Sequence, residues 1–195
     1  MKIIKTVMLL ALPLLTLNTF AQTVETEVSR NANQQERIQN GLESGALNVK
    51  EAAKLEKAEA HVNHMQAEAL KDGTLTAGEA NRINAAQNKT SAAIYNQKHD
   101  AQKGNPDSLS SKRMQKDVQR NVNQQNRIEQ GVKSGELNNR EVAKLERGQA
   151  HESRREARAG ADGHVSAREQ KQIQRNHNKQ SHKVHREKHD RQTKS

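Results

Sequence analysis

The stretch ALKDGTLTAGEANRI occupies residues 69–83, and AGADGHVSAREQKQI occupies residues 159–173. Each contains Asp-Gly, an aliphatic residue, Thr or Ser, and then a Glu three positions after the hydroxyl residue. That spacing is typical of the capping box that begins an α-helix. The preceding Gly suits the positive φ of a tight turn. Both stretches therefore predict a turn followed by a capped helix.

The same pattern recurs at two further places in the chain. The predicted caps are Asn48 with Glu51, Thr76 with Glu79, Asn138 with Glu141, and Ser166 with Glu169. An aliphatic residue precedes each cap and is placed to pack as a hydrophobic staple, namely Leu47, Leu75, Leu137 and Val165. Each cap is expected to stabilise its helix by about 1 kcal/mol.

An internal duplication sets the predicted domain organisation. Residues 30–102 align with residues 120–192 without a gap, and 33 of the 73 aligned positions are identical. We therefore predict two helical repeats, at residues 22–102 and 113–195. The segment 103–112 contains Pro106 and is predicted to be the linker between them.

The spacing of apolar residues is helical and predicts three helices in each repeat. Their expected bounds are about 26–40, 49–70 and 77–100, with counterparts near 116–130, 139–159 and 167–190. The fold class is therefore all-α, with two tandem three-helix units and a marginal core. Beyond residue 145 the large aliphatic residues are few, so the end of the second repeat is either a single extended helix or a frayed segment.

The first 21 residues predict a secretory signal peptide. Lys2 and Lys5 precede the apolar stretch 7–17, and small residues precede a cut after Ala21. We therefore expect the mature chain in the periplasm or outside the cell, with no transmembrane segment after cleavage. The chain has no Cys, which excludes a lipoprotein anchor, disulfides and thiol chemistry.

The Asp-Gly turns also resemble the second part of a calcium-binding EF-hand loop. In the first repeat Glu68, Asp72 and Glu79 would occupy ligand positions, but Leu70 stands where a further oxygen ligand is needed. In the second repeat Arg158 occupies the first ligand position. This pattern favours helix caps, and a degenerate calcium site at Glu68, Asp72 and Glu79 is the alternative.

Histidines offer a second candidate metal site. His182, His185 and His189 follow helical spacing, and His177 lies a little over one turn earlier. Imidazoles with this spacing could chelate zinc, copper or nickel. The alternative is a polar helix face, because Lys, Arg, Gln and Asn surround these residues.

The charge is distributed unequally between the two halves. Residues 22–112 hold 11 basic and 12 acidic side chains, a net charge of −1, whereas residues 113–195 hold 20 and 11, a net charge of +9. A basic half could bind an anionic envelope component, such as lipopolysaccharide or lipid headgroups, or extracellular DNA. The alternative is a solvated face that maintains solubility. Specific recognition of nucleic acid is not expected, because the mature chain has no aromatic platform for stacking bases.

Catalysis is not expected, because the chain lacks a Cys nucleophile, a Gly-x-Ser-x-Gly turn and a phosphate-binding loop. Its carboxylates are interpreted as helix caps or as solvated partners of Lys and Arg. The sequence therefore predicts a non-enzymatic protein that binds an envelope component, another protein or a polyanion through surface charge. A metal-binding or metal-stress protein is the alternative.

These motifs resemble a group of small exported proteobacterial helical-repeat proteins. The resemblance rests on residues 33–38, 44–47, 60–61, 72–79 and 98–100 and their counterparts in the second repeat, and covers most of the mature chain. The Asp-Gly segment is also similar to EF-hand loops and to one turn of TerB-like helical domains. The resemblance implies helical repeats but no particular activity.

Overall fold

The structure, a computed structural model, describes the backbone of residues 18–190 and the side chains from Val24 to Asp190. Within that range it consists of helices without strands, so the predicted all-α class is confirmed. The helices are α1 (Asn18–Glu43), α2 (Val49–Ala69), α3 (Ala77–Lys98), α4 (Leu109–Ser134), α5 (Asn139–Ala159) and α6 (Ala167–Lys188). The apolar stretch of the predicted signal peptide lies outside the described residues.

Four of the six helices begin at the predicted capping boxes. At α2, Asn48 Oδ1 accepts a hydrogen bond from Glu51 N at 3.0 Å, and Asn48 N donates to Glu51 Oε2 at 2.9 Å. The same reciprocal pair begins α3, α5 and α6. Because each box satisfies backbone N–H groups that a helix start leaves unpaired, these four boundaries are fixed locally.

The turn glycines also take the predicted backbone conformation. Positive φ values occur at Gly45, Gly73, Gly135 and Gly163. The staple residues that follow them, Leu47, Leu75, Leu137 and Val165, are each buried in the core. Each turn therefore reverses the chain and inserts an aliphatic side chain between neighbouring helices.

The predicted linker 103–112 is too long at its carboxyl end. Ser108 caps α4 by accepting a hydrogen bond from Ser111 N at 3.1 Å, so residues 109–112 are helical. The remaining connection is attached to the first repeat, because Gly104 N donates to Gly45 O at 2.9 Å.

The two halves of the chain pack against each other through the first two helices of each half. The first three helices contain 26, 21 and 22 residues, and the last three have the same lengths in the same order. Helix α2 packs mainly against α5, and α1 packs mainly against α4. Helix α3 covers α1 and α2, and α6 covers α4 and α5.

The apolar core consists of two clusters, and each contains residues from both halves. Val28 and Ile83 from the first half join Leu145 and Val184 from the second in one cluster. In the other cluster, residues such as Leu55 of the first half meet residues such as Ile173 of the second. Neither cluster belongs to one repeat alone, so the repeats share a core.

Between the two apolar clusters, each helix contributes buried polar residues. Along α1, Val28 belongs to one cluster and Ile38 to the other, whereas Asn31 and Gln35 lie between them. We call this region the central polar layer. Its ionisable members are Glu27, Glu56, Glu59, Asp117, Glu146, Glu152, Glu156 and His177, and its amides include Asn31, Gln35, Gln66, Gln87, Asn121 and Gln125. Buried polar side chains therefore fill the part of the interior for which the chain has too few apolar residues.

Helix α6 continues to Lys188 as one helix that packs on α4 and α5. Its buried face consists of Ile173, His177, Gln180, Val184 and Glu187. Polar side chains therefore fill core positions in the segment that has few large aliphatics.

Candidate functional site

The three carboxylates of the calcium hypothesis have separate partners. Glu68 Oε1 lies 2.9 Å from Arg147 Nη2, and Asp72 Oδ1 accepts hydrogen bonds from Thr74 N and Oγ1, both at 2.9 Å. Glu79 is the cap partner of α3. Among the described residues, these three do not form a group within reach of one metal ion.

The histidines at the end of α6 do not converge on one point either. The rings of His185 and His189 stack with centroids 4.2 Å apart and an interplanar angle of 12°. His182 is exposed and does not join them in a ligand group among the described residues. His177, one turn earlier, is fully buried, whereas the other three histidines are exposed.

One group of three acidic side chains does come together in the described part of the chain. Oxygens of Glu141, Glu187 and Asp190 lie within 4.8 Å of one another. Lys144 Nζ lies 3.5 Å from Glu187 Oε2, and Glu141 is the cap partner of α5. All three carboxylates therefore already take part in interactions within the chain.

A basic groove runs along the surface between α5 and α6. It consists of two adjoining depressions, with volumes of about 200 and 440 Å³, that share Arg155 and Gln172. Arg158 lines the smaller depression, and Arg175 and Lys179 line the larger one. We call this feature the α5–α6 groove; it gathers four cationic side chains.

Among the described residues, none of the four cations of the groove lies within 4.0 Å of a carboxylate oxygen. Arg155 interacts electrostatically, at longer range, with Glu152. The carboxylate in the lining is Glu169, which is engaged with Ser166 in the cap of α6. Arg155 Nε is buried and has no hydrogen-bond acceptor there. Since buried donors are nearly always paired in folded proteins, this unpaired N–H is an exception in the lining of the groove.

The two helices that form the groove also meet in the central polar layer, where Glu156 of α5 contacts α6. His177 Nε2 of α6 lies 2.9 Å from Glu156 Oε1, and both side chains are fully buried. Asn121 Nδ2 donates to the other oxygen of Glu156 at 2.5 Å. The contact with His177 ties α6 to α5, so it fixes the two walls of the groove relative to each other.

Burial changes the protonation chemistry of this layer. Desolvation raises the pKa of Glu27 and of Glu146 to about 8, and that of Asp117 to about 6. Desolvation lowers the pKa of His177 to about 4. The layer therefore favours neutral carboxyl groups and a neutral imidazole.

The interpretation of the carboxylates as caps or solvated partners is wrong for the central polar layer. Glu56, Glu59, Glu146 and Glu156 are all fully buried. A local signal exists, because Glu56 and Glu59 lie on the same stripe as Ala52, Leu55 and Val62. Their charge led to the prediction that they are exposed to solvent, whereas their spacing matches that of the buried face of the helix.

The chain was compared with protein-family models, curated proteins and solved structures, and none of the three comparisons finds a match. Among the described residues, no helix is both long and apolar enough to cross a bilayer.

Proposed function

We propose that the protein is a non-enzymatic binding protein that holds phosphate-bearing anions in the α5–α6 groove. The observation that carries this proposal is the set of four cations that share one groove without ion-pair partners among the described residues. The expected export of the chain would bring this groove close to lipid headgroups and other anionic envelope components.

The side chains of the groove suit phosphate. A guanidinium group presents several N–H donors in a plane and can bind two oxygens of one phosphate at once. Arg155, Arg158 and Arg175 supply three such groups, and Lys179 adds a point charge. The unpaired Nε of Arg155 is buried, so a phosphate oxygen would reach it only after this side chain turns outward.

The groove is specific to the second half of the chain. A shift of 90 residues pairs Arg155 with Met65, Arg158 with Glu68, and Arg175 with Ala85. Glu68 is itself bound to Arg147, so the first half offers an ion pair where the second offers a free cation. This difference accounts for part of the charge asymmetry between the halves.

The lining of the groove favours binding over catalysis. Its polar residues are cations and amides, and its carboxylate is held in the cap of α6. A general base or nucleophile needs a free lone pair close to the substrate. Apart from Glu169, the charged groups of the lining are donors, which suits capture of an anion.

Vesicle binding tests the proposal. The chain without its predicted signal peptide is sedimented with vesicles of phosphatidylglycerol and phosphatidylcholine, and with vesicles of phosphatidylcholine alone. We expect binding to the anionic vesicles alone, and binding that weakens steeply with salt because exposed charges are screened. The variant Arg155→Gln/Arg175→Gln should lose most of the binding.

The matched control removes the same charge from the first half. Lys54→Gln/Lys89→Gln changes two exposed cations and leaves the groove intact. We expect this variant to bind nearly as well as the unaltered chain. Equal losses in the two variants, or binding that salt does not weaken, would show that the groove is not the site.

A further inference from the structure

The two depressions of the α5–α6 groove differ in the chemistry of their linings. The larger depression is lined by Arg155, Arg175 and Lys179 together with amide side chains, and among the described residues no carboxylate lines it. The smaller depression is lined by Arg155 and Arg158, but also by the carboxylate of Glu169. The two parts of the groove therefore suit two different parts of one ligand.

The larger depression suits the phosphate. Arg175 and Lys179 are exposed, and Arg155 is partly exposed, so their charged ends are accessible to a ligand. Asn178 Oδ1 accepts a hydrogen bond from Arg120 Nη2 at 2.6 Å, which leaves the N–H groups of that amide as donors. Three cations and one amide donor can surround the oxygens of a single phosphate.

The smaller depression suits a hydroxyl group better than a second phosphate. Glu169 Oε2 accepts hydrogen bonds from Ser166 N at 2.9 Å and from Ser166 Oγ at 2.6 Å. Both bonds go to one oxygen, so the lone pairs of Oε1 can accept from a ligand. A carboxylate repels a phosphate placed next to it, whereas it accepts a hydrogen bond from a hydroxyl group.

Apolar side chains complete the lining of the smaller depression. Ala159 and Ile173 lie beside the donors Arg158 and Gln172 and the acceptor Glu169. A sugar ring presents hydroxyl groups at its edge and C–H groups on its faces, so it needs donors, acceptors and apolar surface together. The volume of about 200 Å³ equals that of roughly seven molecules of liquid water, which is enough for one such ring.

We propose that the ligand of the α5–α6 groove is a phosphorylated sugar, with its phosphate in the larger depression and its ring in the smaller one. This inference rests on the proposed function, in which the groove holds a phosphate-bearing anion. Arg155 and Gln172 line both depressions, so they lie where the ester oxygen joins the phosphate to the ring. The same chemistry occurs in a soluble sugar phosphate and in a phospholipid headgroup that carries a ring of hydroxyl groups.

An NMR titration of the chain without its predicted signal peptide tests the inference. Glucose 1-phosphate is compared with methyl phosphate, a monoester of the same charge without the ring. We expect glucose 1-phosphate to bind about tenfold more tightly, which is the effect of one hydrogen bond to a charged group. Arg175→Gln should weaken the binding of both monoesters, because it changes the depression that holds the phosphate.

Glu169→Gln should remove the preference for the sugar without weakening the binding of methyl phosphate. A glutamine also completes a capping box, but its single carbonyl oxygen is then used in the cap and no acceptor is left for the ring. The matched control is Glu79→Gln, which makes the same change in the cap of α3 and should retain the preference. If Glu169→Gln does not fold, Arg158→Gln replaces it and should weaken glucose 1-phosphate more than methyl phosphate.

Vesicle sedimentation distinguishes the two sources of the ligand. Phosphatidylinositol and phosphatidylmethanol carry the same charge, but only phosphatidylinositol has a ring of hydroxyl groups. Tighter binding to phosphatidylinositol vesicles would support the inference and assign the groove to a lipid headgroup. A preference for glucose 1-phosphate without a preference between the vesicles would support it and assign the groove to a soluble sugar phosphate.

Two results would overturn the inference and leave the groove as a phosphate site. One is equal affinity within both pairs of ligands, and the other is a preference that survives in both Glu169→Gln and Arg158→Gln. Failure of the proposed function would look different. In that case neither monoester would bind, or Arg175→Gln would bind both as well as the unaltered chain.

Discussion

His177 Nε2 lies 2.9 Å from Glu156 Oε1, at the place where the first half of the chain holds Gln87 and Gln66. In the first half both amides are joined through Asn31, which donates to Gln66 Oε1 at 2.5 Å and accepts from Gln87 Nε2 at 2.7 Å. The same site in the central polar layer is thus neutral in one half and ionisable in the other. The two replacements occur together, which suggests that each residue suits the other.

This relationship predicts that substitutions at the two positions are not additive. Glu156→Gln and His177→Gln each leave one member of a buried pair with a changed partner, and breaking such a pair is costly. The double variant places glutamine at both positions, as at the equivalent positions of the first half. We expect a coupling free energy of roughly 1 kcal/mol in a double-mutant cycle from urea unfolding at neutral pH. Additivity within about 0.5 kcal/mol would show that the two side chains act independently.

His177 also predicts a loss of stability in acid. Burial lowers its pKa to about 4, below the ordinary His value of 6.5. Its contribution is therefore complete above pH 6.5 and is lost as the pH falls towards 4, because the unfolded chain binds a proton first. A pKa difference of this size corresponds to a loss of about 3 kcal/mol in the free energy of unfolding.

The measurement compares the unaltered chain with His177→Gln in urea at pH 7 and at pH 4. The free-energy difference between the two proteins should shift in favour of the variant at the lower pH. A constant difference would mean that His177 binds its proton over the same pH range in the folded and the unfolded chain. The carboxyl groups of the layer act in the opposite direction, so the comparison with the variant isolates the imidazole.

Helix starts were predictable from the sequence because capping is local. The predicted starts of α2, α3, α5 and α6 at residues 49, 77, 139 and 167 agree with the structure. The starts of α1 and α4 were placed too late, since α4 begins at Leu109 rather than near residue 116. Its cap is Ser108 without a partner Glu, so the strongest signal was missing there.

The interior could not be predicted in the same way. Which residues are buried depends on the pairing of α2 with α5 and of α1 with α4, and this is set by contacts distant in sequence. Glu56 and Glu146 have Lys or Arg neighbours within one turn, and charged residues are almost never fully buried without a partner. Local spacing could therefore place them on a face but could not show that another polar face would cover it. The groove likewise requires α5 and α6 to be adjacent.

Replacement of glycine by alanine is expected to have opposite effects on stability at Gly135 and at Gly78. Gly135 ends α4 with a φ of 76°, where a Cβ is strained, so Gly135→Ala should destabilise the chain by about 1–2 kcal/mol. Gly78 lies in the first turn of α3, and a Cβ added there meets no atom within 4 Å. Gly78→Ala should stabilise the chain by roughly 0.5 kcal/mol, because it reduces the freedom of the unfolded chain. Thermal unfolding of the two variants measures both signs, and a shift of Tm in the same direction would contradict the turn geometry.

The helix-cap hypothesis and the calcium-site hypothesis can be distinguished at the first Asp-Gly turn. Thr76 Oγ1 lies 2.6 Å from Glu79 Oε2 and accepts from Glu79 N at 3.3 Å, so both residues are engaged in starting α3. Thr76→Ala should therefore cost about 1 kcal/mol in the absence of calcium.

We expect millimolar calcium to leave the unfolding midpoint of the unaltered chain unchanged, because Glu68 is held by Arg147. A ligand that binds only the folded state raises stability in proportion to the logarithm of its concentration. A midpoint that rises with calcium, and that no longer rises in Glu79→Gln, would assign these carboxylates to the ion instead of the helix.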